Sequence, residues 1–242
     1  MDFDSYGKVI RIFLIVLCFS LPIYSQPISK STLRHLVRQP KIKWEKAPLL
    51  VLLHGIGSNE EDLFSLADQL PGQFLVVSAR APITLSEGSY AWFHMDLSTG
   101  KRVINEQEAE QSRQMIIKFI DELKASYSID VNKIYLCGFS QGGIMSYSVA
   151  LTRPDLVHGI AVMSGRLLDE VKPLIAPKDK LKNLHMFVSH GVNDPVLNIP
   201  FARSAVAYLK TMNIHPIYKE YPEGHTISRE MLSDLVNWLR NN

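Results

Sequence analysis

Two hydrophobic rhythms alternate along this chain. Seven short runs are apolar or β-branched and read as strands: 33–39, 49–53, 74–78, 134–138, 159–163, 185–190 and 215–221. Leu49, Leu50, Val51, Leu52 and Leu53 leave no polar position, as expected of a strand covered on both faces. Between the runs the spacing changes to threes and fours. Over 107–126, Met115, Ile116, Phe119, Ile120 and Leu123 share one helical face, and 199–212 and 228–241 carry similar stripes. The alternation predicts an α/β fold, with a mostly parallel central sheet and helices on both faces. No Pro- or Gly-rich linker and no internal repeat divides the chain, so one domain is expected. The stretch 81–105 is long for a simple connection and is expected to serve a site.

Residues 1–25 follow neither rhythm. Lys8 and Arg11 precede an apolar run over 12–24 that only Ser20 and Pro22 interrupt. Such a run reaches ~20 Å as a helix, short of the roughly 30 Å of a hydrocarbon core. A basic start, a short apolar stretch and a small residue at its end predict a signal peptide cleaved after Ser25. Residues 26–242 would then form a single exported catalytic domain, periplasmic or secreted, with no stable membrane insertion. A retained anchor is the alternative reading.

Composition narrows the class of protein. Of 242 residues, 46% are apolar and 21% charged, with 26 Lys and Arg against 24 Asp and Glu, a net +2. That balance excludes a disordered tail, a coiled coil and a strongly basic nucleic-acid binder. Cys18 and Cys137 are the only cysteines, too few for a disulfide scaffold. After cleavage Cys137 stands alone and is expected to be a small buried hydrophobe.

The chemistry gathers at Ser140. The run 134–138 leads into Gly138-Phe139-Ser140-Gln141-Gly142 and then a helical pattern. A sharp strand-to-helix turn tolerates little bulk around it, hence glycines two residues either side of the serine. The turn lifts the hydroxyl to the end of the sheet, over a helix N-terminus that favours developing negative charge.

A serine needs a base to remove its proton. The histidines are His35, His54, His94, His158, His185, His190, His215 and His225. When serine precedes acid and histidine comes last, the loop around Gly224-His225 after the final strand is the place for the base. His158, His185, His190 and His215 fall inside or at the edges of predicted elements, where a hydrogen-bonded structural role is the plainer reading. The acid that holds the imidazole should follow the preceding strand, and Asp194 does so. Asp155, Asp169 and Asp179 are weaker: the first follows Pro154 in a turn, and the others sit in a charged loop.

Donors for the oxyanion should come from the glycine loop 54–59, which ends the run 49–53. The backbone N–H groups of Ile56 and of Gln141 are the candidates. Glu60 stands at the third glycine position of a dinucleotide fingerprint, and no Gly-Lys-Ser/Thr follows, so this is not a nucleotide loop. No His-Glu-x-x-His motif occurs, and neither a metal nor a cofactor is expected.

Leu53-His-Gly-Ile-Gly57, Trp92-Phe93, Gly138-Phe-Ser-Gln-Gly142, Gly191-x-x-Asp194-Pro-Val196 and Gly224-His225 occur in the order seen in the phospholipase/carboxylesterase family of α/β-hydrolases, which includes acyl-protein thioesterases. The resemblance spans roughly 33–239. It implies an α/β-hydrolase fold with no large cap and a fairly open site. It also implies a Ser140–Asp194–His225 triad, an oxyanion hole from Ile56 and Gln141, and Trp92 lining the acyl pocket. Independently of the family, Trp92 reads equally as a packing anchor. The expected function is a serine carboxylesterase, with thioesterase or lysophospholipase as variants, acting on a small-molecule ester through an acyl-enzyme. A serine peptidase or amidase on the same triad and a catalytically silent binding module are the rival readings.

Overall fold

The computed structural model describes residues 31–96 and 103–242. Seven strands form the central sheet: β1 (His35–Arg38), β2 (Ala47–Leu53), β3 (Leu75–Ala79), β8 (Ile129–Phe139), β9 (Gly159–Met163), β10 (His185–Gly191) and β11 (Ile217–Tyr221). Their spatial order is β1-β3-β2-β8-β9-β10-β11. Only β1 runs antiparallel, pairing His35 with Ala79 and Arg38 with Val76. Each of the seven expected runs is a strand of this sheet.

Alternation along the strands decides where the helices go. In β2, Leu49, Val51 and Leu53 face one core, and Leu50 and Leu52 the other. Helices α2 (Glu106–Ser126), α3 (Gln141–Thr152) and α5 (Pro200–Thr211) cover the first face. Helices α1 (Glu60–Phe64) and α6 (Arg229–Asn241) cover the second. Asn105 caps α2 by accepting from the Glu108 N–H, and Ser228 caps α6 by accepting from the Met231 N–H. A short α4 (Lys178–Leu181) precedes β10. Among the described residues no helix is long and apolar enough to cross a membrane.

Two regions differ from the sequence expectation. β8 starts at Ile129 rather than 134, pairing with β2 through a bulge between Ala47 and Leu49. Val131, Asn132 and Lys133 in that extension are exposed, so its hydrophobic signal is absent. The long stretch after β3 is not irregular. It folds as an antiparallel ribbon of β4 (Ile83–Ser86) with β5 (Ser89–Ala91), then a second of β6 (Met95–Asp96) with β7 (Val103–Ile104). The expected leader over 1–25, with Cys18 and the start of the mature chain, lies outside the described residues. Cys137 is buried, and burial pushes its thiol up to about 12.

A buried ion pair ties these parts together behind the site. Glu60, with 2% of its side chain exposed, takes a fork from Arg80 through Nε at 2.5 Å and Nη2 at 2.6 Å. Arg34 Nε stands 3.3 Å from the same carboxylate, and Arg80 Nη1 donates to the Tyr90 hydroxyl at 2.9 Å. Burial opposes the charge on Glu60, but the Arg80 fork outweighs it and holds the carboxyl below its usual range. The start of α1, the end of β3 and the β4–β5 ribbon are thereby pinned to one another. Arg80→Met leaves a buried carboxylate with only the exposed Arg34 nearby, so a loss of about 3 kcal/mol is expected in urea unfolding. Adding Glu60→Gln should restore much of it. Equal stability of the single and double variants would show that the pair does not carry this role.

Candidate active site

β2 and β8 are neighbours, yet the helices that follow them leave for opposite faces of the sheet. That divergence opens a crevice at the carboxyl ends of the strands, where open α/β sheets place ligands. The loop 54–59 forms one side, and Ser140 stands on the other.

Ser140 has φ 53° and ψ −116°, outside the regions a non-glycine residue favours. The strain is held by contacts on both sides. A Cβ on Gly142 would lie 1.9 Å from the Leu53 carbonyl oxygen, and one on Gly138 would lie 2.2 Å from the Gly142 backbone. Only glycines let α3 begin this close to the ends of β2 and β8. The Ser140 N–H donates to the Met163 carbonyl at 2.9 Å, and its own carbonyl accepts from Ile144 at 3.1 Å, so the backbone is satisfied while the side chain projects.

Three loops then converge on that hydroxyl. Ser140 Oγ lies 2.9 Å from His225 Nε2, and His225 Nδ1 lies 2.7 Å from Asp194 Oδ2. The other oxygen of Asp194 accepts from the Val196 and Leu197 N–H groups, each at 2.8 Å. Gly191 brings the acid and base loops together: a Cβ there would meet the Glu223 and Gly224 carbonyl oxygens at 2.4 Å. The Phe139 ring packs on the imidazole, with centroids 4.8 Å apart. Asp155, Asp169 and Asp179 take no part; Asp155 pairs with Arg153 and Asp169 with Lys172.

The loop 54–59 presses against the serine. A Cβ on Gly55 would stand 3.3 Å from Ser140 Cβ. Gly57, at φ 83°, donates its N–H to Tyr90, and the Ser58 N–H donates to the Gly55 carbonyl. Among the described residues the Ile56 N–H has no such partner. Gln141, as the first residue of α3, presents an N–H that the helix itself does not use. Both expected oxyanion donors therefore sit beside Ser140 with unspent backbone N–H groups.

Trp92 packs inward. Its ring is 0% exposed and belongs to the core under the site, donating Nε1–H to the His54 carbonyl at 2.9 Å. The Gln141 side chain, buried as well, accepts from the Trp92 N–H and donates to the Phe93 carbonyl, both at 2.7 Å. Ser112 on α2 donates to the Trp92 carbonyl. Every polar group of Trp92 is engaged inward, which accords with the packing-anchor reading.

The Phospholipase/Carboxylesterase family profile matches residues 37–242. The chain belongs to this family. It is 28% identical over 237 residues to acyl-protein thioesterase 1 of Cryptococcus neoformans, covering 86% of this chain and 97% of that one. The solved structure of esterase PE8 superposes with a TM-score of 0.74 at 25% identity, covering 86% of this chain and 98% of that one. A carboxylesterase from Mesorhizobium loti shares the fold with a TM-score of 0.76 at 20% identity, over 90% of this chain and 99% of that one. The fold is that of the α/β-hydrolase carboxylesterases, with no separate cap among the described residues, and the family is one of hydrolase enzymes.

Two histidines behind this family's site are buried: His190, expected to be structural, and His54, to which the sequence reading gave no role. His54 donates from Nδ1 to the Gly55 carbonyl at 2.7 Å and accepts at Nε2 from the Ala81 N–H at 3.0 Å. One nitrogen must give and the other take, which fixes a neutral tautomer. His190 places Nε2 2.6 Å from the Leu197 carbonyl and 3.3 Å from Asp194 Oδ2, while its Nδ1 is buried without a protein partner. Its position four residues before Asp194, at the end of a strand, was the available signal. Among the described residues no group of three or more His, Cys, Asp or Glu is arranged to hold a metal ion.

Burial lowers the pKa of both His54 and His190, and the nearby carbonyls offset this only in part. Each stays neutral in the fold where an unfolded histidine would already bind a proton, below about pH 6.5. The unfolded chain then carries the extra protons, so stability falls as pH drops from about 6.5 toward the lowered native values. Denaturant unfolding is therefore expected to show lower stability at pH 5.5 than at pH 7.5. Constant stability across that interval would mean that these rings titrate normally.

Proposed function

We propose that this protein is a serine carboxylesterase that hydrolyses small carboxylic esters through an acyl-enzyme, with thioesters as a second substrate class. The observation that carries the reading is the hydrogen-bonded chain from Ser140 Oγ through His225 to Asp194, set on a strained turn. His225 Nε2 removes the Ser140 proton as Oγ attacks the ester carbonyl carbon. The C–O bond to the alcohol breaks as His225 returns that proton to the leaving oxygen. Water then repeats the sequence on the acyl-enzyme, releasing the acid and freeing Ser140.

Asp194 holds the imidazole in the tautomer with hydrogen on Nδ1 and stabilises the imidazolium. Its second oxygen, held by two backbone N–H groups, keeps the carboxylate from turning away. The Ile56 and Gln141 N–H groups serve the oxyanion, and the N-terminus of α3 adds its dipole. The relatives' names, carboxylesterase and acyl-protein thioesterase, agree with this chemistry, since oxygen and sulfur esters differ only in the leaving atom. For the N-terminus we infer an export signal over 1–25, supported by Lys8, Arg11 and the short apolar run that follows them.

Hydrolysis of short- and medium-chain p-nitrophenyl esters, with Ser140→Ala beside the wild type, tests the reading. The variant is expected to lose ~10⁴-fold or more in kcat. Equal activity in both proteins would remove Ser140 from the mechanism. Peptide amides turned over faster than esters would favour an amidase on the same triad.

A further inference from the structure

The proton path of this reaction says where the departing half of the substrate must lie. The acyl carbon is bonded to Ser140, and the leaving oxygen must come within hydrogen-bond reach of His225 Nε2 to receive its proton. The alcohol portion therefore extends past the imidazole. His225 forms part of the wall of a cavity of about 260 Å³ that lies between α1 and the base loop. We propose that this cavity is the leaving-group subsite, and that it takes a compact apolar alcohol or thiol with a neutral or cationic end. The proposal rests on the esterase reading of the triad.

The cavity's chemistry sets that class. Leu63 is buried, and Leu66, Phe139 and Ile227 are half-buried; these side chains give the cavity an apolar part beside its polar one. The Phe139 ring that walls the cavity also packs on the His225 ring, so the apolar surface continues up to the base. The rim is polar and exposed, with Asp62, Ser65 and Thr226. Asp62 accepts from the Ser58 hydroxyl at 2.9 Å and makes no ion pair among the described residues. Glu61 beside it is exposed, and both lie in the acidic first turn of α1. An alcohol carrying a carboxylate at its far end would meet this negative rim, whereas a hydroxyl or ammonium group would be received there. The volume accommodates a benzyl-sized body.

The test holds the acyl group fixed and varies the alcohol. With methyl acetate, benzyl acetate and the acetate of 4-(hydroxymethyl)benzoate as substrates, the wild type should favour benzyl over its carboxylate-bearing analogue in kcat/KM. Leu66→Trp, which fills the cavity, should lower kcat/KM for benzyl relative to methyl acetate by about tenfold. Asp62→Lys, at an exposed position, should shift the benzyl-to-carboxylate ratio by about tenfold toward the anionic ester. In both variants the ratio between methyl acetate and methyl hexanoate should stay at the wild-type value, because the acyl side is untouched. If Leu66→Trp changes acyl-length preference instead of alcohol preference, the cavity holds the acyl chain and the proposal is overturned. Unchanged alcohol selectivity in both variants also overturns it, while Ser140-dependent turnover leaves the esterase reading standing. A wild type that hydrolyses none of these esters would remove both.

Discussion

The start of α3 lies almost in contact with the backbone at the end of β2, and the site is built outward from that approach. Because Gly142 has no side chain, its backbone can sit where any Cβ would overlap the Leu53 carbonyl. This closeness forces Ser140 into a conformation that a residue with a side chain avoids, and it places the Gln141 N–H beside the glycine loop. Ser140 and the proposed oxyanion donors are thus positioned by one packing event. A bulkier turn would separate them, and no rearrangement of the histidine loop would compensate.

Around that contact the polar groups are arranged so that few can relax away. The Asp194 carboxylate is held on both oxygens, and the imidazole is held between it and the serine. The neutral His54 ring links the glycine loop to Ala81, two residues beyond β3, while the Glu60–Arg80 pair fixes the helix that follows the loop. Buried polar networks of this kind are stabilising only when nearly every member is satisfied. The unpartnered Nδ1 of His190 and the Ser164 and Ser189 hydroxyls are exceptions near Ser140.

Much of this was legible in the chain. Fully buried strands such as 49–53 announce themselves by unbroken apolar runs, and the three loops bearing Ser140, Asp194 and His225 follow strands whose patterns are plain. Chain order and glycine placement sufficed to select residues that the fold brings within hydrogen-bond distance. What stayed hidden depends on partners distant in sequence. The ribbons β4–β5 and β6–β7 are largely exposed, and among the described residues only the Ser58–Tyr90 bridge ties their strands to another segment, so neither periodicity nor length marks them. Trp92 looked like a pocket residue because its surroundings were unknown; its burial is decided by Gln141, Ser112 and His54, from three other elements. The same holds for Glu60, which reads as an ordinary helix-start acid until Arg80 folds over it.

The clamp that Gln141 places on residues 92 and 93 reaches beyond the chemistry. One end of the β4–β5 ribbon is fastened to the nucleophile's own helix, and Tyr90 is held by Arg80 and by the glycine loop. The tip at Glu87–Gly88 is exposed, with room for a side chain at Gly88, and is tethered by a single hydrogen bond from the Asn59 side chain to the Gly88 carbonyl at 3.1 Å. Firmly anchored roots and an exposed, lightly tethered tip make the ribbon a natural place for insertions and deletions. Descendants of this sequence can remodel the rim of the site by lengthening that tip while the position of Ser140 stays under the control of the roots, so new specificities are reachable without passing through an inactive enzyme.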